Sequence, residues 1–216
     1  MGEASQRKVA QAVLATYGRT FAEELGISVD RNTPSELFKL LVAAMLFSTR
    51  ISNRLATQAA RALFKQGWTT PAKMAGATWR QRTDVLNRAG YARYDESTSR
   101  MLGDTADHLL RRYQGDLRRL RDEAERDPQR ERELLKQCKG IGDVGADIFC
   151  REAQVAWTEL RPFVDKKARQ AAERLGLPTE PRALARLVRQ DQVAALVAGL
   201  VRCDLAKDYE TVRRAA

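Results

Sequence analysis

The sequence contains few of the residues on which metal sites and histidine-based catalysis depend. Its 216 residues include one histidine, His108, and three cysteines, Cys138, Cys150 and Cys203. The cysteines stand 12 and 53 positions apart, and this spacing fits neither a zinc-ligand motif nor a disulfide framework. We therefore expect no metal, no cofactor and no catalytic histidine. Any chemistry would depend on carboxylates, lysines or hydroxyl groups.

Long apolar runs are also missing from the chain. No segment reaches the roughly 18 uncharged apolar residues that a membrane-spanning helix needs. The N-terminal stretch MGEASQRKVAQAVLATYG lacks the apolar centre of a signal peptide. These two absences predict a cytoplasmic protein. Its apolar fraction of 44% suffices for one core or for two small lobes.

The third absence is that of strand patterns. Apolar and polar residues do not alternate over the length of a strand, and no internal repeat occurs, whereas apolar residues recur at helical spacing. The sequence therefore predicts an all-α fold. Leu37–Phe47 is apolar on almost every side, which is typical of a helix buried on most faces. Other predicted helices cover residues 4–25, 55–65, 79–87, 94–113, 182–189 and 191–207.

What the chain has in excess is positive charge. The net charge is +10 and the isoelectric point is about 9.9, which favours nucleic acid or another anionic surface as a partner. Arginines spread over solvated surfaces would give the same excess, so charge alone does not decide. Residues 114–132 alternate in sign around Asp127-Pro128, a pattern typical of a solvated helix and loop.

The stretch Leu134–Leu177 carries the most specific pattern in the sequence. It contains a helix, the glycine pair Gly140 and Gly142, a second helix, and a third helix that opens with Asp165. Glycine accepts a positive φ at such a turn, and the free N–H groups at the start of the second helix form an anion site. The pattern raises the question of a phosphate grip with a carboxylate beside it.

This stretch resembles the helix-hairpin-helix/GPD superfamily of DNA glycosylases, and within it the endonuclease III branch. The family pattern is Leu-Pro-Gly-Val-Gly before a helix, with a Val-Asp pair further along the chain. The corresponding residues here are Cys138-Lys139-Gly140-Ile141-Gly142 and Val164-Asp165.

The resemblance extends towards the N-terminus of the chain. Glu36–Arg50, an apolar helix that ends in Ser-Thr-Arg, is similar to the family helix that ends in Ser-Ala-Gln. Ala89-Gly90-Tyr91 is similar to the Ile-Gly-Leu loop of the family. Residues 33–178 are covered by these similarities.

The resemblance implies two helical lobes with a DNA-binding groove. The central lobe would comprise residues 33–155, with the helix-hairpin-helix at 134–153, and the second lobe residues 1–32 plus 156–216. It further implies a monomeric enzyme of base excision repair that binds double-stranded DNA, flips a damaged base and hydrolyses its N-glycosidic bond. Such an enzyme would associate with the nucleoid when bound to DNA.

In that enzyme Asp165 would be the catalytic carboxylate, which stabilises an oxocarbenium-like transition state and orients a water molecule. Asp165 also suits the N-cap of the helix that follows, and the two roles are compatible. The residues that would contact the DNA backbone at the hairpin are Lys139, Gly140, Ile141, Gly142 and Gly145.

Three departures from the family pattern bear on activity. Val144 stands where bifunctional members carry a nucleophilic lysine, and valine cannot form a Schiff base. Only Cys203 lies where many relatives hold an iron–sulfur cluster with four cysteines. Asp143 brings a negative charge into the hairpin, where an N-cap role would occupy one amide and repel phosphate. These departures predict a monofunctional glycosylase or an inactive member.

Further candidates follow from position alone. Arg50 would fill the gap left by a flipped base, and Tyr91 would wedge the opposite strand, although each could also be an ordinary half-exposed residue. Lys166 and Lys167 would contact phosphate, or supply a displaced amine for a lyase reaction. Trp157 would form a wall of the base pocket, and its alternative is a place in the core.

Three hypotheses remain open at this stage. The first is the monofunctional DNA glycosylase, with a bifunctional glycosylase and lyase that uses a displaced lysine as its variant. The second is a DNA-binding protein on the same scaffold that recognises damaged or bent duplex without chemistry. The third is a helical protein-interaction module, based on the charged residues 114–132.

Overall fold

The computed structural model describes residues 2–216, and within them all regular secondary structure is helical, with no strand. This confirms the predicted all-α fold. The helices of the first half are α1 Glu3–Tyr17, α2 Phe21–Glu24, α3 Pro34–Phe47, α4 Asn53–Lys65, α5 Pro71–Gly76, α6 Trp79–Arg88 and α7 Asp95–Tyr113. Those of the second half are α8 Leu117–Glu123, α9 Pro128–Leu135, α10 Asp143–Ala153, α11 Lys166–Arg174, α12 Pro181–Ala185, α13 Val193–Ala206 and α14 Tyr209–Arg214.

The chain divides into two compact units. Unit 1 combines residues up to Glu24 with residues 150–216, and unit 2 comprises Leu25–Phe149. The limits expected from the sequence, at 33 and 155, lie a few residues later in the chain at both points. Helix α10 is continuous across the division between residues 149 and 150.

Unit 2 is built around helix α3. Thr33 caps this helix by accepting a hydrogen bond from the Glu36 amide, and Pro34 occupies its first turn, where no N–H is required. Nine of its 14 residues are buried, so the buried helix predicted over Leu37–Phe47 is present. Helices α4 and α8 pack against α3, and α5 and α6 pack against α7.

Unit 1 is built around helix α13, of which ten residues are buried. Helices α1 and α11 pack against it. At Gly199 a Cβ atom would lie 2.9 Å from Val13 Cγ1 and 3.2 Å from the Tyr17 carbonyl oxygen. Only glycine therefore allows α1 and α13 to approach so closely.

Two of the predicted elements differ from the structure. The single helix expected over residues 4–25 is wrong, because α1 ends at Tyr17 and the short α2 follows Gly18. The buried Phe21 continues the apolar periodicity across that break. The helix expected over 182–189 ends at Ala185. In contrast, the charged segment is interrupted at the predicted place, since Asp127 is the N-cap of α9.

All three cysteines are free thiols, and all are buried. Burial raises the pKa of Cys138 to about 12, and burial is also the main cause that raises the pKa of Cys203 to about 11. Among residues 2–216 no helix combines the length and the apolar character needed to cross a membrane.

Candidate nucleic-acid interface

The glycine hairpin connects α9 to α10 in unit 2. Gly140 has a φ of +86°, and a Cβ atom there would lie 2.8 Å from Met101 Sδ and 3.3 Å from Met45 Cε. Both the conformation and the space therefore require glycine at this position. The Thr105 hydroxyl fixes the same turn by donating a hydrogen bond to the Lys139 carbonyl oxygen at 2.7 Å.

The other hairpin residues differ in their exposure to solvent. Ile141 is only 4% exposed, so its side chain anchors the turn and can offer a ligand its backbone only. Gly145 is buried in the first turn of α10, and a Cβ atom there would lie 3.6 Å from Ser48 Oγ. Gly142 is exposed, with open space around its Cα. The amides at the start of α10 are therefore approachable at Gly142.

Two further segments of unit 2 lie beside the hairpin. Ser48, in the turn after α3, lies next to Gly145. In the same turn, Thr49 Oγ1 accepts a hydrogen bond from the Tyr91 hydroxyl at 2.8 Å. The hairpin, the turn that carries Arg50 and the loop that carries Tyr91 are thus brought together.

Tyr91 itself is not placed to act as a wedge. Its side chain is 1% exposed and packs edge to face against Tyr94, with ring centroids 6.5 Å apart. Burial raises the pKa of its hydroxyl. Arg93 is exposed in this loop, as are Gly90 and Ala92, and its guanidinium lies 5.3 Å from the centroid of the Tyr94 ring. Arg93 and Tyr94 are candidates that sequence reasoning missed, although their place just after the Gly90 turn could have suggested them.

The accessible side chains of these segments are mostly cationic. Lys139 and Arg50 are both exposed, and neither side chain has a salt-bridge or hydrogen-bond partner within the described residues. Val144 is 60% exposed, so no core contact requires valine at this position. We call the following set the hairpin face: Arg50, Arg93, Tyr94, Lys139, Gly142 and Val144.

Asp143 behaves differently from the expectation. It is the first residue of α10 rather than its N-cap, and its carboxylate lies 3.1 Å from Arg132 Nη2 and 3.2 Å from Lys136 Nζ. Lys136 first, and then Arg132, lowers the pKa of this carboxyl group. Asp147 binds the other side of Arg132 at 2.8 Å. The negative charge at the hairpin is therefore paired within the protein and occupies two cations that could otherwise meet phosphate.

Asp165 lies in unit 1, where it forms the N-cap of α11. One carboxylate oxygen accepts a hydrogen bond from the Ala168 amide at 2.9 Å, and the other accepts one from Arg151 Nη1 at 2.7 Å. The side chains of Asp165 and Arg151 are only 6% and 5% exposed. The capping role considered in the sequence is thus present, together with a buried ion pair that the sequence did not reveal.

The last turn of α10 builds the surroundings of this carboxylate. Arg151 Nε lies 3.3 Å from Glu152 Oε1, and its guanidinium lies 5.0 Å from the centroid of the Phe21 ring. Glu152 in turn accepts a hydrogen bond from the Ala22 amide at 2.9 Å.

Gln154 holds the segment that leads to Asp165. Its buried amide group accepts a hydrogen bond from Phe163 N at 3.1 Å and donates one to Phe163 O at 3.0 Å. Phe163 is thereby held on both of its backbone groups, two residues before the carboxylate. Sequence reasoning missed Arg151, Glu152 and Gln154.

The remaining candidates of unit 1 divide into exposed and buried groups. Lys166 and Lys167 are exposed in the first turn of α11, and only Lys167 has an acidic neighbour, Asp204 at 3.9 Å. Trp157 has no exposed surface. It is a core residue in this structure, and a ring in that position cannot line an open base pocket.

Comparison with known proteins identifies the fold. A non-covalent complex of endonuclease III with DNA matches 94% of this chain and 86% of its own, at 16% identity and a TM-score of 0.59. The chain has an endonuclease III-like fold. A trapped covalent intermediate of endonuclease III with DNA, an estranged-adenine complex, matches 86% of both chains at 16% identity and a TM-score of 0.51. No protein-family model and no curated protein matches the sequence significantly.

On this endonuclease III-like fold the hairpin face and Asp165 differ in their exposure to solvent and in their partners. The hairpin face of unit 2 presents open backbone and uncommitted cations, whereas the carboxylate of unit 1 is enclosed and paired. No group of three or more His, Cys, Asp and Glu side chains among residues 2–216 is arranged to hold a metal ion.

Proposed function

We propose that this chain binds double-stranded DNA through the hairpin face and hydrolyses the N-glycosidic bond of a damaged base with the help of Asp165. The observation that carries the proposal is the glycine hairpin, open to ligand at Gly142, on an endonuclease III-like fold. The similar structures are complexes of endonuclease III with DNA. In this role the protein would act in the cytoplasm, at the nucleoid.

The backbone grip would come from the first turn of α10. Its N–H groups have no partner within the helix and carry the positive end of the helix dipole, which suits a phosphate. Lys139 adds a positive charge without a competing carboxylate. Extrusion of a nucleotide costs a few kcal/mol. The exposed Arg50 and Arg93 and the half-buried Tyr94 are the groups that could fill the gap left in the duplex.

The chemical step would be hydrolysis rather than amine attack. Val144 offers no nitrogen, so no Schiff base can form at that position. Asp165 would stabilise positive charge that develops on the sugar, and Arg151 and the Ala168 amide would hold its carboxylate in a fixed orientation. The product would be a free base and an unbroken abasic strand. A displaced amine, Lys166 or Lys167, would instead break the strand.

The test is incubation with duplexes that bear oxidised, deaminated or alkylated bases, followed by gel analysis with and without alkali. We expect strand breaks only after alkali. Asp165→Asn should lower base release by about 10²- to 10⁴-fold, while Asp84→Asn, an exposed carboxylate change in unit 2, should not. Full activity of Asp165→Asn would reject the mechanism, and breaks without alkali would reassign it to a lysine.

A non-catalytic DNA-binding protein is the second candidate, and one observation favours it. Both carboxylate oxygens of Asp165 are already engaged, and the side chain is 6% exposed. A carboxylate neutralised by Arg151 stabilises an adjacent cation less than a free one does. This candidate predicts salt-sensitive duplex binding with no base released from any lesion, so one confirmed turnover would exclude it.

A further inference from the structure

The charged segment after α7 borders a shallow, open hollow on the surface of unit 2. Its volume is about 370 Å³. The lining residues are Asn32, Asp116, Asp122 and the four arginines Arg118, Arg119, Arg121 and Arg126. Four guanidinium groups against two carboxylates leave a formal charge of +2. The segment is largely exposed, as its pattern predicted, and its arginines border this hollow.

One of the two carboxylates is already committed. Asp116 is the N-cap of α8 and accepts a hydrogen bond from the Arg118 amide at 2.9 Å. Its oxygens also accept hydrogen bonds from Arg118 Nε at 3.0 Å and Nη2 at 2.7 Å. Asp116 therefore neutralises Arg118.

Arg119 and Arg126 are the uncommitted cations of the pocket. Both are exposed, and neither side chain forms a salt bridge or a hydrogen bond within residues 2–216. Guanidinium groups that converge on a hollow bind the oxygens of a phosphate group through paired, charge-assisted hydrogen bonds.

The backbone of the pocket wall has an unusual conformation. Asn32 and Arg126 have φ values of 48° and 58°, and Glu125, beside Arg126, has a φ of 56°. Left-handed conformations are uncommon for residues other than glycine and occur often where a loop is shaped for a ligand. The two consecutive residues Glu125 and Arg126 turn the chain back towards the arginines of α8.

The pocket lies away from the hairpin face within the same unit. Asn32 precedes the N-terminus of α3, whereas Ser48, which contacts the hairpin, follows its C-terminus. The 14 residues of α3 correspond to roughly 21 Å at 1.5 Å per residue. Helix α7 also separates the two sites, since Met101, within its first half, packs beside Gly140, whereas Asp116 follows its C-terminal end.

We propose that this pocket is a second phosphate-binding site, distinct from the hairpin face, which takes a phosphate group of a free nucleotide or of a further nucleic-acid segment. Its volume is within the range of small-ligand pockets. The formal charge of its lining, +2, is equal and opposite to the charge of a phosphate dianion. The proposal does not depend on the glycosylase reaction, since no group of the pocket belongs to the hairpin face or to the surroundings of Asp165.

The experiment compares wild type with the double variant Arg119→Gln, Arg126→Gln. The control is Lys65→Gln, Arg80→Gln, which removes the same charge from two exposed residues of unit 2 that do not line the pocket. The first arm titrates pyrophosphate, dATP and adenosine by calorimetry. We expect the pocket variant to bind the two phosphate ligands about tenfold or more weakly, the control to bind like wild type, and adenosine not to bind.

The second arm measures duplex affinity against salt concentration. If the phosphate belongs to nucleic acid, the slope of log K against log salt should fall by about 0.9 for each lost phosphate contact, and the control should retain the wild-type slope. If the pocket variant binds pyrophosphate and dATP more weakly in the first arm, the site belongs to a free phosphate ligand. If only its salt slope in the second arm falls, the site belongs to nucleic acid. Pocket and control variants that agree in both arms would overturn the proposal.

Failure of the pocket proposal is distinguishable from failure of the proposed function. Lys139→Gln in the second arm reports on the hairpin face alone, because Lys139 does not line the pocket. Duplex binding that depends on Lys139 but not on Arg119 and Arg126 would leave the proposed function standing without a second site.

Discussion

The hairpin of unit 2 and the carboxylate of unit 1 are built by opposite means. At Gly142 the hairpin is open, since a Cβ atom added there would meet nothing within 4 Å. Asp165 is held by Arg151 and by the Ala168 amide. Glu152 contacts that arginine, and Gln154, just after α10, holds the backbone of Phe163. An open backbone site can accept a ligand without rearrangement. The orientation of an enclosed carboxylate is fixed by its partners, but such a carboxylate is also part of the core.

This difference predicts different consequences of mutation. Changes on the hairpin face should alter binding and leave stability nearly constant, because the exposed side chains there have few partners. Changes around Asp165 should alter stability first, because a buried charge that loses its partner keeps its desolvation cost. The following variants test this separation, from the largest expected effect to the smallest.

Arg151→Met removes the partner of Asp165 and leaves a buried carboxylate without its cation. We expect the free energy of unfolding to fall by about 3–5 kcal/mol, measured by urea denaturation. Arg50→Met, on the exposed hairpin face, should change it by no more than about 0.5 kcal/mol. Similar small losses in both variants would show that the pair contributes no more than a surface contact.

Gly140→Ala should destabilise the protein by about 1–3 kcal/mol, because it combines a positive φ with a Cβ that meets Met101 Sδ at 2.8 Å. Gly142→Ala is the matched variant, since its Cβ would enter open space. Thermal melts should therefore leave Gly142→Ala close to wild type. Its duplex affinity should nevertheless fall, because the added methyl group covers the amides. Unchanged affinity would place the phosphate elsewhere.

Asp143→Asn should have the smallest effect, and in the opposite direction. It releases Lys136 and Arg132 from their carboxylate partner, so duplex affinity should rise by about tenfold or less. The gain should shrink as salt is raised. Fluorescence anisotropy at two salt concentrations measures this, with Asp84→Asn as the control for a lost surface charge. A loss of affinity would indicate that Asp143 orders the hairpin rather than competing with phosphate.

The elements that the sequence predicted well are those with local signals. The buried α3 follows from an uninterrupted apolar stretch, and the break before α9 from Asp127-Pro128. The hairpin follows from two glycines, one of which has the predicted positive φ. The break at Gly18 was missed because Phe21 prolongs the apolar period beyond the end of α1.

The surroundings of Asp165 could not be predicted, because they depend on tertiary partners. Arg161 and Arg169 are each four positions from Asp165, yet the partner is Arg151, fourteen positions away. Nothing in the sequence distinguishes these three arginines. Tyr91 presents the same difficulty, since its hydroxyl donates a hydrogen bond to Thr49, 42 positions earlier. Patterns along one helix do not report which polar groups another element covers.

The enclosed thiols make it possible to time the opening of each unit separately. Cys138 belongs to the hairpin turn of unit 2 and Cys203 to α13 of unit 1. With pKa values near 12 and 11, both are protonated at neutral pH and shielded from alkylating reagents. Alkylation at either position therefore reports local opening. The ratio of the two labelling rates would show whether unit 2 opens while unit 1 stays closed.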